Sequence, residues 1–405
     1  MKKMSKVCCL FLILMFNCTL VQANDNTVDI IIPHNNFSLT PVIDIYIGDK
    51  GPYKFIIDTG SSQSSISRKL ADEIGLSYEK QNSNSTLTGN SIIFADITKS
   101  LDLFISEHKV HRRTDLFIND HDFNTLTKAR GILGVAQFQD GVLENHPDHK
   151  ALKLTIHKTV ESCELLNEQS KCYKNISKLL PTKFSLGGYN GDLLIDTGNQ
   201  GTRYISLFKS QETNRLWNRV HHELPEVKLD GLSDKPLRLL RTQDFSLNGQ
   251  PCIGEVLLRD PDDKAPKLEE LIGFVGWSVL QSMSFKIDYK NDHVSFIVDK
   301  CPYDNVKTIG ISGVYTSQDF RYMYVSDFIA GSSADKVGIK RHDQVEKIIL
   351  ANGKVITKFD NTLYNHNDQH VYAPVGSKVT YFVRRDGILK PFTMTAEGVH
   401  LVDLD

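Results

Sequence analysis

Two stretches of the chain decide its fold: Gly51-Pro-Tyr-Lys-Phe-Ile-Ile-Asp58-Thr59-Gly60 and Asp192-Leu-Leu-Ile-Asp196-Thr197-Gly198. In each stretch an apolar run typical of a buried strand ends at Asp-Thr-Gly. A second apolar element follows at a similar distance, since Gly131-Ile-Leu-Gly134 ends 76 residues after the first aspartate and Gly273-Phe-Val-Gly276 ends 80 residues after the second. The sequence therefore predicts two β-rich units of similar length, one after the other.

The residues between these repeats predict short strands and turns. Residues 101–105 and 282–289 alternate apolar and polar side chains, as half-buried strands do, and residues 294–298 complete a hairpin with the second of these. Residues 67–74 predict a short helix that ends at Gly75, and the serines at positions 61, 62, 64 and 65 are interpreted as its first turn.

The pattern changes after Cys301, where a separate module begins. Residues 322–328 and 342–349 predict strands, residues 331–338 predict a short helix, and residues 378–387 predict a strand that closes in a hairpin. We expect this module to span residues 301–398.

The first 23 residues have the pattern of a secretory signal peptide. A basic N-terminal region with three lysines precedes an apolar run from Val7 to Phe16, and Ala23 supplies a small residue at a cleavage site. The run is too short to span a bilayer, and no later stretch is long and apolar enough to do so. We therefore expect residues 1–23 to direct export, with a lipid-anchored chain as an alternative because three cysteines lie in this segment.

Composition and charge narrow the function classes. The chain has 405 residues, 40% of them hydrophobic and 24% charged, so it has enough apolar residues for folded domains. Its formal net charge is −2, or −5 without the three lysines of the signal segment, which gives no electrostatic basis for nucleic-acid binding. Four of the seven cysteines lie beyond the signal segment. In an exported chain that even number favours disulfides, and proximity predicts the pairs Cys163–Cys172 and Cys252–Cys301.

No metal site and no cofactor are predicted. The histidines of His146-Pro-Asp-His149 flank a proline that breaks a helix, and no third ligand is nearby in the sequence. His221-His222-Glu223 lacks the spacing of a zinc-protease helix. The chain also contains no phosphate-binding loop and no dinucleotide fingerprint.

The paired Asp-Thr-Gly sequences suggest acid–base chemistry by two carboxyl groups. If the two units pack about a pseudo-twofold axis, Asp58 and Asp196 meet at the interface. When two carboxyl groups lie within a few ångströms of each other, they do not both ionise readily. They then share one proton and titrate as a unit. One carboxylate can then take a proton from a water molecule while the other group donates to the carbonyl oxygen of an amide.

The residues beside the aspartates fit the same arrangement. The glycines have no side chain, so the chain can turn sharply there and present backbone N–H groups to the carboxylates. The threonines can hydrogen-bond across the interface and fix the two loops against each other. We expect active-site support from Thr59, Gly60, Ser61, Thr197, Gly198 and Asn199.

With these motifs the chain resembles the two-lobed aspartic proteases of the pepsin and retropepsin type, in the exported bacterial branch with a C-terminal PDZ domain. The family pattern of two apolar residues before Asp-Thr-Gly, followed later by two apolar residues and Gly, is present twice. The resemblance implies a mainly β, bilobal fold with lobes at residues 24–156 and 157–300 and a cleft between them. It also implies endopeptidase activity, with Asp58 and Asp196 as the catalytic residues.

The resemblance further implies a flap hairpin that covers the cleft. Thr88, Gly89 and Asn90 are the candidates for its turn, because Gly-Asn lies between two extended runs. The sequence departs from the family at Asn199, where Ser, Thr or Ala is usual, so the hydrogen bond beside Asp196 is expected to differ.

Residues 301–398 resemble a PDZ domain, which is β-rich with short helices. Ile309, Gly310, Ile311 and Ser312 resemble the loop that binds a peptide carboxylate, and residues 329–343 resemble the helix and turn common in bacterial members. In such a domain the C-terminus of a peptide adds a strand to the sheet edge. A module that only braces the rest of the chain is the alternative.

Together these features predict an exported aspartic endopeptidase with a monomeric protease body. Its expected partners are protein or peptide substrates and a C-terminal peptide ligand of the PDZ domain. We expect a periplasmic location, with an extracellular or lipid-anchored protein as the alternatives. The alternative function is a non-catalytic peptide-binding or scaffold protein, in which the protease-like body is inert and the PDZ domain does the binding.

Overall fold

The structure, a computed structural model, is mainly β. It describes residues 26–34, 40–87, 90–120, 128–158, 179–199, 205–207, 210–224, 226–227, 237–258, 273–281, 283–297, 309–311, 313–318, 323–328, 331–357, 372–398 and 404. The predicted signal segment and Cys163, Cys172 and Cys301 lie outside these residues. No helix in the described part of the chain is long and apolar enough to cross a membrane.

The first lobe is built on a seven-stranded sheet. The strands up to residue 157 are β1 (Thr27–Pro33), β2 (Val42–Ile47), β3 (Lys50–Asp58), β4 (Ser65–Ser67), β5 (Glu79–Leu87), β6 (Asn90–Ile105), β7 (Val110–Asn119), β8 (Gly131–Gly134), β9 (Val142–His146) and β10 (Ala151–His157). The strand order is β2-β3-β8-β4-β7-β6-β5. Helix α1 (Arg68–Glu73) begins after Ser67, whose side chain accepts a hydrogen bond from the Leu70 N–H, and Gly75 follows it at a φ of +70°.

The second lobe repeats this sheet. Its strands are β11 (Pro181–Leu186), β12 (Tyr189–Asp196), β13 (Ile205–Leu207), β14 (Glu226–Val227), β15 (Leu237–Leu247), β16 (Gln250–Leu258), β17 (Gly273–Gly276), β18 (Ser284–Asp288) and β19 (His293–Ile297). Seven of them have the order β11-β12-β17-β13-β16-β15-β14, which matches the first lobe strand for strand. Helices α2 (Gln211–Val220) and α3 (Trp277–Leu280) complete the lobe, and Cys252 lies in β16.

A third sheet joins the two lobes, in the order β1-β10-β9-β18-β19. Its central pair, β9 and β18, is antiparallel and places Glu144 opposite Lys286. These residues occupy equivalent positions, because each lies ten residues after the glycine that ends the second repeat element. The pseudo-twofold axis therefore passes between them, and the Lys286 Nζ and Glu144 Oε1 atoms are 3.2 Å apart.

One hydrophobic core runs through both lobes and the joining sheet. Ile57 and Ile195 contribute from the strands that carry the aspartates, and Leu143 and Ile287 contribute from the joining sheet. Residues 314–396 have a separate core that includes Val325 and Tyr381. The protease-like body and the C-terminal module therefore bury their apolar side chains independently.

The C-terminal module contains β20 (Ile309–Ile311), β21 (Val314–Gln318), β22 (Met323–Phe328), β23 (Gln344–Ile349), β24 (Val355–Thr357), β25 (Tyr372–Pro374), β26 (Lys378–Arg385), β27 (Ile388–Thr395) and β28 (Glu397–Gly398), with helix α4 (Ser333–Lys336). One sheet has the order β21-β22-β23-β26-β27, with β24 beside β23, and a smaller sheet has the order β25-β20-β28. The predicted short helix and closing hairpin are present as α4 and as β26–β27.

Three residues of the predicted carboxylate-binding loop lie in a strand, and their role in binding stays a prediction. Ile309, Gly310 and Ile311 form strand β20, which is paired on one side with β25 and on the other with β28. The pairing comes from residues more than 60 positions away, which a local pattern does not reveal. Ser312 lies outside the described residues.

Candidate active site

The two Asp-Thr-Gly sequences occupy the same place in the two lobes. Asp58 ends β3 and Asp196 ends β12. β8 pairs in parallel with β3 and places Gly134 opposite Asp58, and β17 pairs in the same way with β12 and places Gly276 opposite Asp196. The second repeat element thus supports the strand that carries each aspartate.

The structure brings the two aspartates together between the lobes. Asp58 is 5% exposed and Asp196 is 6% exposed, and their carboxyl groups are hydrogen-bonded to each other. The Gly60 N–H donates to Asp58 Oδ1 over 2.8 Å. Backbone N–H groups of Ser61 and Gly198 also donate to Asp58, and those of Gly198 and Asn199 donate to Asp196. Each carboxyl group is therefore held from its own loop and from the opposite lobe.

Each motif glycine lies directly against the aspartate of the opposite lobe. A Cβ atom at Gly60 would lie 2.6 Å from the Asp196 Cγ atom, and a Cβ atom at Gly198 would lie 2.2 Å from the Asp58 Cγ atom. Both distances are far below van der Waals contact. The two positions therefore require glycine for the carboxyl groups to approach each other.

The two threonines connect the lobes by reciprocal hydrogen bonds. Thr59 Oγ1 donates to the carbonyl oxygen of Ile195 over 2.6 Å, and Thr197 Oγ1 donates to that of Ile57 over 2.7 Å. Each hydroxyl oxygen also accepts from the backbone N–H of the other threonine, at 3.1 and 3.0 Å. All four groups are buried, so the arrangement fixes the two loops against each other, as the sequence predicts.

Burial and proximity raise the pKa values of both carboxyl groups. Desolvation raises the pKa of Asp58 to about 6, against the hydrogen bonds that stabilise its charged form. Desolvation and the nearby charge of Asp58 raise the pKa of Asp196 well above its usual range. The pair consequently keeps one proton at a pH where isolated carboxyl groups are ionised.

This shift predicts a pH-dependent stabilisation by Asp58→Asn. A carboxyl group with a folded pKa of about 6 and an unfolded value of 3.8 costs stability as the pH rises between these values. The asparagine has no such cost, so the variant should be more stable than the wild type above pH 6 by about 2–3 kcal/mol.

Urea unfolding at several pH values measures this difference. We expect it to disappear near pH 3.5, where the carboxyl group is protonated in both the folded and the unfolded chain. The matched control is Asp192→Asn, on the strand that carries Asp196, where Asp192 pairs with Lys183 and is 26% exposed. An Asp58→Asn protein whose stability follows the wild type at every pH would contradict the pKa shift.

The other predicted site residues that the structure describes lie beside the two aspartates and in the hairpin of β5 and β6. Ser61 Oγ donates to the Gln63 carbonyl oxygen, so its side chain is turned toward its own loop. The backbone N–H of Asn199 reaches Asp196. Of the predicted flap residues, Asn90 begins β6 and pairs with Leu87 of β5. Thr88 and Gly89 lie outside the described residues.

Sequence reasoning missed the roles of two buried polar side chains, Ser64 and Asn145. Ser64 Oγ accepts a hydrogen bond from the Gly134 N–H over 3.0 Å, and Ser65 lies in β4, so the interpretation of these serines as a helix turn is wrong. Asn145 Nδ2 donates to three backbone carbonyl oxygens, those of Leu280, Gln281 and Met283, and so ties the first lobe to the second. Nothing in the sequence around either residue distinguishes it from a surface polar residue.

Among the described residues, no group of three or more His, Cys, Asp or Glu side chains is arranged to hold a metal ion. The rings of His146 and His149 stack at a centroid distance of 5.9 Å.

Comparison with known proteins bears on the first lobe. Residues 43–136 match a family described as "Aspartyl protease", a range that runs from β2 to just beyond β8 and contains Asp58. No curated protein matches the chain. Among solved structures the chain is similar to the aspartic proteinase from Irpex lacteus, at 13% sequence identity and a TM-score of 0.37, over 66% of this chain and 97% of that one. The family match supports a protease.

Proposed function

We propose that the chain is an aspartic endopeptidase in which Asp58 and Asp196 form one catalytic unit. The observation that carries the proposal is the pair of buried carboxyl groups, one from each lobe, hydrogen-bonded to each other and held by glycines that leave no room for a side chain. Burial that raises both pKa values favours the half-protonated pair on which acid–base hydrolysis depends.

In the proposed reaction the ionised Asp58 takes a proton from a water molecule as its oxygen attacks the carbonyl carbon of the peptide bond. Asp196, which keeps the shared proton, donates it to the carbonyl oxygen. The tetrahedral intermediate then loses the amine, the C–N bond breaks, and the proton held by Asp58 passes to the leaving nitrogen. The backbone N–H groups of Gly60 and Gly198 keep the carboxyl groups aligned during both steps.

For the C-terminal module we propose binding of an extended peptide along β21, as in a PDZ domain. The support is the topology, because β21 ends its sheet and pairs with β22 on one side. The route to the periplasm and the two disulfides remain predictions from the signal pattern and the cysteine count.

A peptide-library cleavage assay between pH 3 and pH 9 tests the proposed function. Cleavage of internal peptide bonds supports the endopeptidase. If no peptide is cut at any pH while the module still binds C-terminal peptides, the chain is a binding or scaffold protein with an inert protease-like body.

A further inference from the structure

We propose that the second lobe carries a docking slot for one leucine, and that the chain's own residue 404 fills it. Leu404 follows the C-terminal module, yet it is 2% exposed and packs in the hydrophobic core of the protease-like body. The slot thus binds the segment that leaves the module and fastens it to the second lobe.

The slot recognises both the backbone and the side chain of Leu404. The Leu404 N–H donates to Asp244 Oδ2 over 2.8 Å, and the Arg219 guanidinium donates to the Leu404 carbonyl oxygen. The side chain lies against the turn between β11 and β12, where a Cβ atom at Gly187 would be 2.6 Å from the Leu404 Cβ atom. Charge-assisted hydrogen bonds to both the N–H and the carbonyl group of Leu404, together with a close apolar contact, are the features of a specific binding site.

Three separate elements of the second lobe position these groups. Asp244 lies at an irregularity in the pairing of β15 with β16, and its backbone carbonyl oxygen accepts from the Gly187 N–H over 2.9 Å. Arg219 lies in the last turn of α2, which the lobe holds through Leu216 and Trp217. Strand β12 separates the slot from Asp196, a distance of roughly 25 Å at the usual rise per strand residue. The slot is therefore distinct from the candidate active site.

The first lobe provides an internal comparison. Its equivalent turn has the same backbone bond, because the Gly48 N–H donates to the Asp102 carbonyl oxygen over 2.9 Å. There the Asp102 side chain binds His111, and a Cβ atom at Gly48 would meet no described atom within 4 Å. Helix α1 has six residues and α2 has ten, so the last helical turn of α2, which carries Arg219, has no equivalent in α1. The slot is an addition to the repeated fold.

The consequence is a second connection between module and body. The module follows β19, which ends at Ile297 in the joining sheet, and Leu404 brings the chain back to the second lobe. A module fastened at both ends has fewer accessible orientations than one on a single linker, so the slot restricts where the module can present a bound peptide.

Binding of a labelled synthetic peptide of residues 399–405 to the full-length chain tests the proposal. The wild-type chain should not bind it, because its own segment fills the slot, whereas Leu404→Asp, which places a charge in an apolar site, should bind it saturably. Leu404→Ala, which introduces no charge, should bind it as well, and circular dichroism checks that both variants are folded.

Two glycine variants in the Leu404→Asp chain form a matched pair, since Gly187 and Gly48 have φ values of +51° and +59° and share the same backbone strain. Adding Gly187→Ala should weaken peptide binding by at least about tenfold, and adding Gly48→Ala should leave it within about twofold. Equal binding by the wild type and Leu404→Asp, no saturable binding by either Leu404 variant, or equal losses from the two glycine variants would overturn the slot. A wild-type dimer that Leu404→Asp dissociates would overturn the intramolecular connection.

Discussion

Asp196→Asn is expected to abolish peptide hydrolysis, with a loss of about 10⁴-fold in kcat. The asparagine keeps the size of the side chain and can still hydrogen-bond with Asp58, but it holds no acidic proton to donate to the substrate carbonyl oxygen. Burial and mutual proximity raise the pKa values of both aspartates, so the pair keeps one shared proton, and in the proposed mechanism Asp196 holds it. The variant should fold normally, since the neutral amide has nearly the size and shape of the protonated carboxyl group that it replaces.

The measurement is the cleavage rate of one peptide by equal amounts of wild-type and variant protein. Asp192→Asn is the matched control, because it makes the same chemical change on the same strand, at a residue whose carboxylate pairs with Lys183 instead of another acid. The control should cleave at the wild-type rate. Full activity of Asp196→Asn would refute the proposed mechanism.

Gly198→Ala is expected to lower activity by about 10²-fold or more, because displacing a reacting group by about 1 Å has an effect of that size. The new Cβ atom would lie 2.2 Å from the Asp58 Cγ atom, so the carboxyl group has to move. Overpacking of a buried site also costs about 1–3 kcal/mol of stability. Denaturant unfolding and the cleavage rate measure the two effects separately.

Gly249→Ala is the control for the glycine substitution. Gly249 has a φ of +78° and an added Cβ atom meets no described atom within 4 Å, so this variant has backbone strain of about 1–2 kcal/mol without a steric clash. It should lose stability and keep its activity. If Gly198→Ala cleaves as fast as this control, the close approach of glycine and aspartate is not needed for the reaction.

The centre of the site could be predicted from sequence because it depends on a repeat. Each Asp-Thr-Gly ends an apolar strand, and a second apolar element follows at 76 or 80 residues, so equivalent residues had to occupy equivalent places. Twofold packing of two such units then brings Asp58 and Asp196 together. The strand β8, predicted only as an apolar element, proves to be the partner that supports Asp58.

Pairings between distant residues could not be predicted. Periodicity identifies a strand but not its neighbour, so the joining sheet, in which Glu144 meets Lys286, has no local signal. The serines before α1 differ from their predicted role as a helix turn for a related reason. Ser65 pairs with Phe117 and Ile132 in the centre of a sheet, and this tertiary pairing overrides the tendency of serine to begin a helix.

The docking of Leu404 on the second lobe could not be predicted from the sequence. The segment Val399-His-Leu-Val-Asp-Leu-Asp405 is too short to show which of its apolar residues is buried, and the partners of Leu404, Arg219 and Asp244, lie 185 and 160 residues away in the sequence. Only the folded second lobe, with its longer helix and its glycine turn, brings these groups to one place.

The dependence of kcat/KM on pH tests the central claim most directly, because this quantity reports the pKa values of the free enzyme. A buried pair with one shared proton predicts a bell-shaped profile whose acid limb lies near pH 6, where the pair loses its first proton, and whose alkaline limb lies higher, where it loses the second. A profile that is maximal between pH 3 and pH 5 and falls towards pH 6 would contradict the account.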